Sequence, residues 1–155
     1  MDLRRMTEEA CISFLERHTF GHLGCLGEDY PYVIPVHYAY DANKVFMFSM
    51  AGRKIEYLRR RPLASLQVEE LANDRNWTSV LVQGHFDELL DTRERRNERI
   101  HAWSLLQKRP FWWEPGTFEL SSREPASGGP IFFSLSLDVV SGRQSNAAPG
   151  SGHVG

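Results

Sequence analysis

Gly52-Arg53-Lys54 is the part of this chain best suited to hold an anion. The run before it, Val45-Phe46-Met47-Phe48-Ser49, reads as a buried strand. After it, Ile55 and Leu58 stand three apart on one face of a short helix that Pro62 ends. A strand, a glycine turn and two cations on a first helical turn bring free N–H groups and the positive end of the helix dipole to one spot. Cations there meet the positive end of the dipole, and an anion such as a phosphate between them offsets that cost. The bland alternative is that Arg53 and Lys54 are solvated surface charges, and composition does not separate the two.

Further candidates lie on either side. In Tyr32-Val33-Ile34-Pro35-Val36-His37-Tyr38, Pro35 cannot donate to a ladder, so it belongs at a sheet edge or a bulge. Such an edge leaves backbone groups free to bond a planar ligand, and His37 can offer that ligand a titratable donor. The alternative for His37 is a strand histidine with a satisfied hydrogen bond, or a surface one. In Trp77-Thr78-Ser79, Ser79 can bond a ligand and Trp77 can shield it, or both pack a barrel end. Trp112 and Trp113 fall in an aromatic loop, Pro110 to Gly116, where exposure is costly. They cover a ligand, a partner or the barrel mouth.

Other chemistries lack residues. There is no GxSxG, Walker or GxGxxG motif, and neither Cys11 nor Cys25 has zinc-ligand spacing. Both cysteines read as small apolar packing groups. Asp87, Glu88 and Asp91 are expected to cap a helix rather than form an acid–base pair. His101 reads as a surface residue. The chain has 155 residues, a net charge of −2 and 41% hydrophobic residues, which fits one globular domain with no global field for nucleic acid. No stretch nears the roughly 18 apolar residues of a membrane span, and no signal-peptide core is seen, so the expected location is cytoplasmic.

These residues need a frame. Thr7 caps a helix with Ala10, Cys11, Phe14 and Leu15 on its apolar stripe, ending near His18. Strands are predicted over His22 to Leu26, Tyr32 to Tyr40, Lys44 to Ser49, Ala64 to Glu69, Trp77 to Leu89 and Ile131 to Val139. Gly84 inside the fifth suggests a bend or bulge, as at a barrel corner. A helix over 92–108 turns Ile100, Trp103 and Leu106 inward. Residues 1–140 make the domain, and 141–155, rich in Gly, Ser, Asn and Pro, read as a disordered tail. The pattern predicts a mainly β fold with flanking helices, an antiparallel barrel of six strands.

Several segments, in this order, carry a resemblance. They are Gly21-His22-Leu23-Gly24-Cys25-Leu26, Pro35-Val36-His37-Tyr38-Ala39-Tyr40-Asp41, Gly52-Arg53-Lys54 with Leu58, Arg61-Pro62-Leu63-Ala64-Ser65-Leu66, and Trp77-Thr78-Ser79-Val80 with Gly84. Over residues 20–90 the chain resembles the pyridoxamine 5'-phosphate oxidase-like, FMN-binding split-barrel proteins, nearest the nitroimidazole-resistance-type branch. The resemblance implies a six-stranded split barrel that forms a homodimer with two FMN sites at the interface. It implies that Arg53 and Lys54 bind the FMN phosphate with Ser49, and that Phe48 adjoins the cofactor. The backbone of Val33, Ile34, Pro35 and Val36 would edge the isoalloxazine ring. Ser79 would reach the flavin of the partner subunit, and His37 would face the substrate side. The chain lacks the Arg- and His-bearing C-terminal segment of true pyridoxamine-phosphate oxidases, which argues against that activity. What remains is an FMN-dependent reductase of small planar or nitroaromatic compounds, a flavin-binding sensor without turnover, or a haem- or deazaflavin-dependent relative.

Overall fold

The computed structural model describes residues 2–108 and 129–146. Thr7 Oγ1 accepts the Ala10 N–H at 3.2 Å and starts helix α1 (Glu8–Arg17), whose apolar face buries Cys11, Phe14 and Leu15. Strands β2 (Phe20–Leu26), β3 (Pro31–His37), β4 (Ala39–Asp41) and β5 (Lys44–Ser49) follow, then helix α2 (Arg53–Arg60). Next come β6 (Leu63–Asn73), β7 (Asn76–Glu88), helix α3 (Arg96–Leu106), β8 (Ile131–Ser136) and β9 (Val139–Asn146). A further strand, β1 (Asp2–Arg5), pairs with β9. Ala42 and Asn43 take positive φ and close the tight β4–β5 hairpin at the expected turn.

All pairings are antiparallel, in the order β3-β2-β6-β7-β8-β5-β4, with β9 also on β7. The two ends of that order, β3 and β4, are joined in the chain through Tyr38 but share no ladder. The sheet therefore rolls into a barrel that stays split. Tyr38 is fully buried and donates its hydroxyl proton to Leu15 O at 2.9 Å, tying the split to α1. Alternate residues of β2, β6 and β7 point inward: Leu23 and Cys25, Leu66 and Val68, Val80 and Val82. A second cluster lies under α3, where Ala102 and Leu106 pack on Phe46, Leu89 and Phe132.

Gly84 marks the corner. Up to Gln83 the free edge of β7 pairs with β9, and from Phe86 it pairs with β8. A Cβ at Gly84 would lie 1.7 Å from the Ser136 carbonyl oxygen, so no side chain fits there.

The strand count is nine rather than six, for three reasons. The stretch Tyr32 to Tyr40 breaks at Tyr38, the stretch Ile131 to Val139 breaks into β8 and β9, and β1 has no periodic signal. The expected disordered tail is corrected for residues 141–146. They form most of β9, hydrogen-bonded on one side to β7 and on the other to β1. A ladder on both sides overrides the low strand propensity of Gly, Ser and Asn. Gly142 also lets α1 approach: a Cβ there would come within 2.7 Å of Cys11 Sγ and Met6 Sδ. Residues 147–155 and the Pro110–Gly116 aromatic loop, with Trp112 and Trp113, lie outside the described residues.

Helix α3 also differs from expectation. Leu106 is buried as expected, but Ile100 and Trp103 are exposed, and Ala102 instead joins the cluster with Phe46 and Phe132. None of Asp87, Glu88 and Asp91 caps it, for no side chain bonds its start. Asp87 holds Arg95 bidentately at 3.0 and 2.6 Å, and Glu88 holds Arg59 at 2.7 and 2.9 Å. Arg95 and Lys44 both reach Glu98, completing a charged clamp of α3 onto the sheet. No helix among the described residues is long and apolar enough to cross a membrane.

Two outcomes follow. Gly84→Ala should destabilise the fold by about 3 kcal/mol or more, read as a lower urea midpoint, because neither Ser136 nor β7 can yield without breaking the corner. The Arg95 hydrogen bond holds the Asp87 carboxyl below its usual range. A depressed carboxylate contributes stability that is present above its unfolded pKa and lost as pH falls through the folded one. Asp87→Asn should thus lower stability at neutral pH and flatten the acid limb below about pH 4, measured by denaturation across pH.

Candidate functional site

The site is built where β5 passes into α2. Gly52 is extended at the helix start, Arg53 is exposed, and Lys54 is 9% exposed. Lys54 lies close enough to Cys25 to pull its thiol pKa down, but burial is the larger effect and leaves that thiol raised. The two cations therefore face different ways, one to water and one inward. Ser49 is buried and donates its proton to Met50 O at 2.7 Å, so its hydroxyl must turn to donate to an anion. Phe48 is half-buried and leans on Phe132, with ring centroids 5.5 Å apart.

Strand β3 pairs with β2 along its whole length and has no ladder on its other edge among the described residues. Of the edge or bulge expected at Pro35, the structure shows the edge. Val33 is 62% exposed, Pro35 is exposed, Ile34 is half-buried and Val36 is buried. An open edge of this kind presents backbone donors and acceptors to whatever lies beside it.

His37 ends this strand. Its ring packs edge-on against Phe20 at 5.2 Å, and its Nδ1 is buried without a hydrogen-bond partner. Neither sequence alternative, a satisfied strand histidine or a surface one, describes that atom. A buried unpaired nitrogen costs about 1–3 kcal/mol in either tautomer, a cost that a bound partner group removes.

Ser79 belongs to a different element from Arg53 and Lys54. It lies on β7, in register with Glu69 of β6 and Arg143 of β9, on the outer face of the sheet. Its Oγ accepts from Gln67 Nε2 at 3.0 Å. Two strands separate β7 from β3, a distance of about 14 Å at ordinary spacing. The same outer face carries His22, in register with Pro35 and Gln67, and a groove of about 580 Å³ lined by Gly24, Leu26, Leu63, Gln83 and Val139. Gln67 went unnoticed in the sequence, since only the cross-strand register brings it to Ser79.

One more cluster is structural. His85 Nδ1 and Ser136 Oγ both bond the Asp138 carboxylate, and these hydrogen bonds keep that carboxyl below its usual range. Ser136 bonds the carboxylate and not the imidazole, so the three do not form a nucleophile relay. They fasten the β8–β9 turn to the Gly84 corner.

A mainly antiparallel split barrel with a cationic helix start beside an open strand edge defines a class, and comparison with known proteins agrees. The profile of the family described as pyridoxamine 5'-phosphate oxidase matches residues 7–144. An uncharacterised protein of Rhizobium meliloti (strain 1021) is 41% identical over 144 residues, 92% of this chain and 95% of the relative. The crystal structure of a protein described as FAD-binding, from Mesorhizobium loti, is 37% identical, covers 94% of this chain and 100% of its own, and superposes with a TM-score of 0.78. A candidate 5-nitroimidazole antibiotic resistance protein of Bacteroides thetaiotaomicron shares the fold, with a TM-score of 0.66 at 16% identity over 93% of this chain and 89% of its own. The chain belongs to the pyridoxamine 5'-phosphate oxidase-like family.

The orphaned nitrogen gives a direct test. His37→Phe removes the unpaired polar atom and keeps the ring against Phe20, so the ligand-free variant should match or exceed the parent in thermal midpoint. A clear loss of stability would show that Nδ1 has a partner in solution.

Proposed function

We propose that this chain is a homodimeric, cytoplasmic FMN-dependent oxidoreductase that reduces a small planar or nitroaromatic compound. The observation that carries the reading is the pair of cations at the start of α2, Arg53 outside and Lys54 nearly buried, where the helix dipole alone disfavours both. A phosphate between them resolves the conflict. The FAD-binding relative at 37% identity supports a flavin as the carrier of that phosphate.

The residues fit a flavin in other respects. The open edge of Val33, Ile34, Pro35 and Val36 offers backbone groups to the rim of a planar ring, and Phe48 and Ser49 close the end nearest the phosphate. His37, half-buried at the end of the same edge, is the residue that would position or protonate a substrate. By the family resemblance Ser79 serves the site of a second copy, which is why the reading takes a homodimer. The outer face, with its groove and the exposed Phe20, Val33, Leu63 and Val139, would meet that copy and bring Ser79 to the other site. When bound, the flavin supplies the hydride chemistry; the chain supplies anchoring, orientation and exclusion of water.

The experiment is a flavin titration followed by turnover. Purified protein should bind FMN and oxidise a reduced nicotinamide with a nitroaromatic acceptor; binding without turnover would leave a flavin carrier. In Arg53→Ala with Lys54→Ala, each lost charge-assisted contact should cost about 1.5–3 kcal/mol of binding, so FMN affinity drops well over tenfold. Arg53→Ala alone, at an exposed position, should show part of the loss with an unchanged circular dichroism spectrum. Affinity equal to the parent in both variants would remove the phosphate assignment.

A further inference from the structure

Arg5 and Arg143 stand directly opposite each other across the β1–β9 ladder, and both are exposed. Like charges so placed repel. Neither guanidinium has a hydrogen-bond or ion-pair partner among the described residues. On β1 the nearby Asp2 carboxylate is taken by Arg4 at 2.9 Å. On β6, Glu69 is in register with Ser79 but makes no ion pair with Arg143. Charges on a short outer strand discourage unwanted strand addition, which accounts for Arg4 and Arg5 but not for Arg143, whose strand is paired on both sides.

What surrounds the pair is equally specific. Arg143 is in register with Ser79 on its other side. Ser79 accepts from Gln67, which leaves its own proton to donate. Trp77, two residues earlier on β7, shares that face and is half-buried. The row thus offers two guanidinium forks, one hydroxyl donor and one aromatic ring. Two forks suit a carboxylate, and the indole face suits a planar ring. Arg5 precedes residue 7, where the family match begins, so family membership does not predict the pair.

We infer that Arg5, Arg143, Ser79 and Trp77 form a subsite for a planar aromatic carboxylate, and that the compound reduced by this protein carries an acidic group. The second clause rests on the oxidoreductase reading; the binding itself does not. In the proposed dimer Ser79 of one copy reaches the flavin of the other, and the arginine pair lies on the adjoining strands, where it orients the acidic end of a substrate lying over that ring.

The test compares 4-nitrobenzoate with 4-nitrobenzamide, alike in ring and nitro group and different in charge. Calorimetric titration of the purified full chain should show the benzoate binding at least tenfold more tightly. Arg5→Gln with Arg143→Gln should abolish that preference and change the amide affinity less than twofold. Arg5→Gln alone, which keeps the β1 backbone ladder, should lose part of the preference and serves if the double variant folds poorly. Equal affinities in the parent, no benzoate binding, or a preference retained in the variants would overturn the subsite. Failure of the flavoprotein reading shows separately, as absent FMN binding in a chain that still prefers the benzoate.

Discussion

The architecture turns on the close approach of β7 to the Ser136 carbonyl at Gly84. One long strand serves two ladders along the same edge, β9 before the glycine and β8 after it. That change of partner is possible only if the backbone comes nearer than any side chain permits. On one side of the corner lies the sheet β3-β2-β6-β7-β9-β1, whose outer face carries Ser79, Gln67 and the arginine pair. On the other lies β8-β5-β4, which delivers Ser49 and Arg53 to the start of α2. The two halves of the candidate site are held in one body by a position with no side chain. The His85–Asp138–Ser136 cluster fastens the same corner from outside.

Around that frame the charges divide by use. Arg95, Lys44 and Arg59 are matched by Asp87, Glu98 and Glu88, and they clamp helices α3 and α2 to the sheet. Exposed pairs of this kind add little stability singly, though a linked set fixes geometry. Arg53, Arg5 and Arg143 appear in no such pair among the described residues. They stand where a dipole or a neighbouring cation makes a positive charge unfavourable. With the orphaned His37 nitrogen, they are the places where the fold forgoes local stability, and such places are characteristic of binding surfaces.

Much of this was legible in the chain. Thr7 with two glutamates announced α1, Asp41-Ala42-Asn43 announced the hairpin, and Pro35 announced an edge, each through chemistry acting within a few residues. Lys44 to Ser49 was read to its observed bounds, because a dense apolar run between turns leaves no alternative. Arg53 and Lys54 were legible for the same reason, as neighbours in sequence on one helical turn. Strand β9 was not. Its Gly, Ser and Asn content reads as tail, and it becomes a strand only because β7 and β1 supply hydrogen bonds on both sides. On α3 the inward Leu106 was legible, but apolarity also pointed to Ile100 and Trp103, whereas the packing of the helix on Phe46 and Phe132 buries Ala102.

Most of the helices and strands, the cationic turn and the family are written in neighbouring residues, in turn chemistry and in motif order. Tertiary structure decided which strands share a ladder and in what register. Hence it alone set Gln67 on Ser79, Arg143 against Arg5, and His37 Nδ1 in a buried position without a partner. Register follows from burying Leu23, Leu66, Val80 and their neighbours together across long chain separations. No window of adjacent residues contains that constraint.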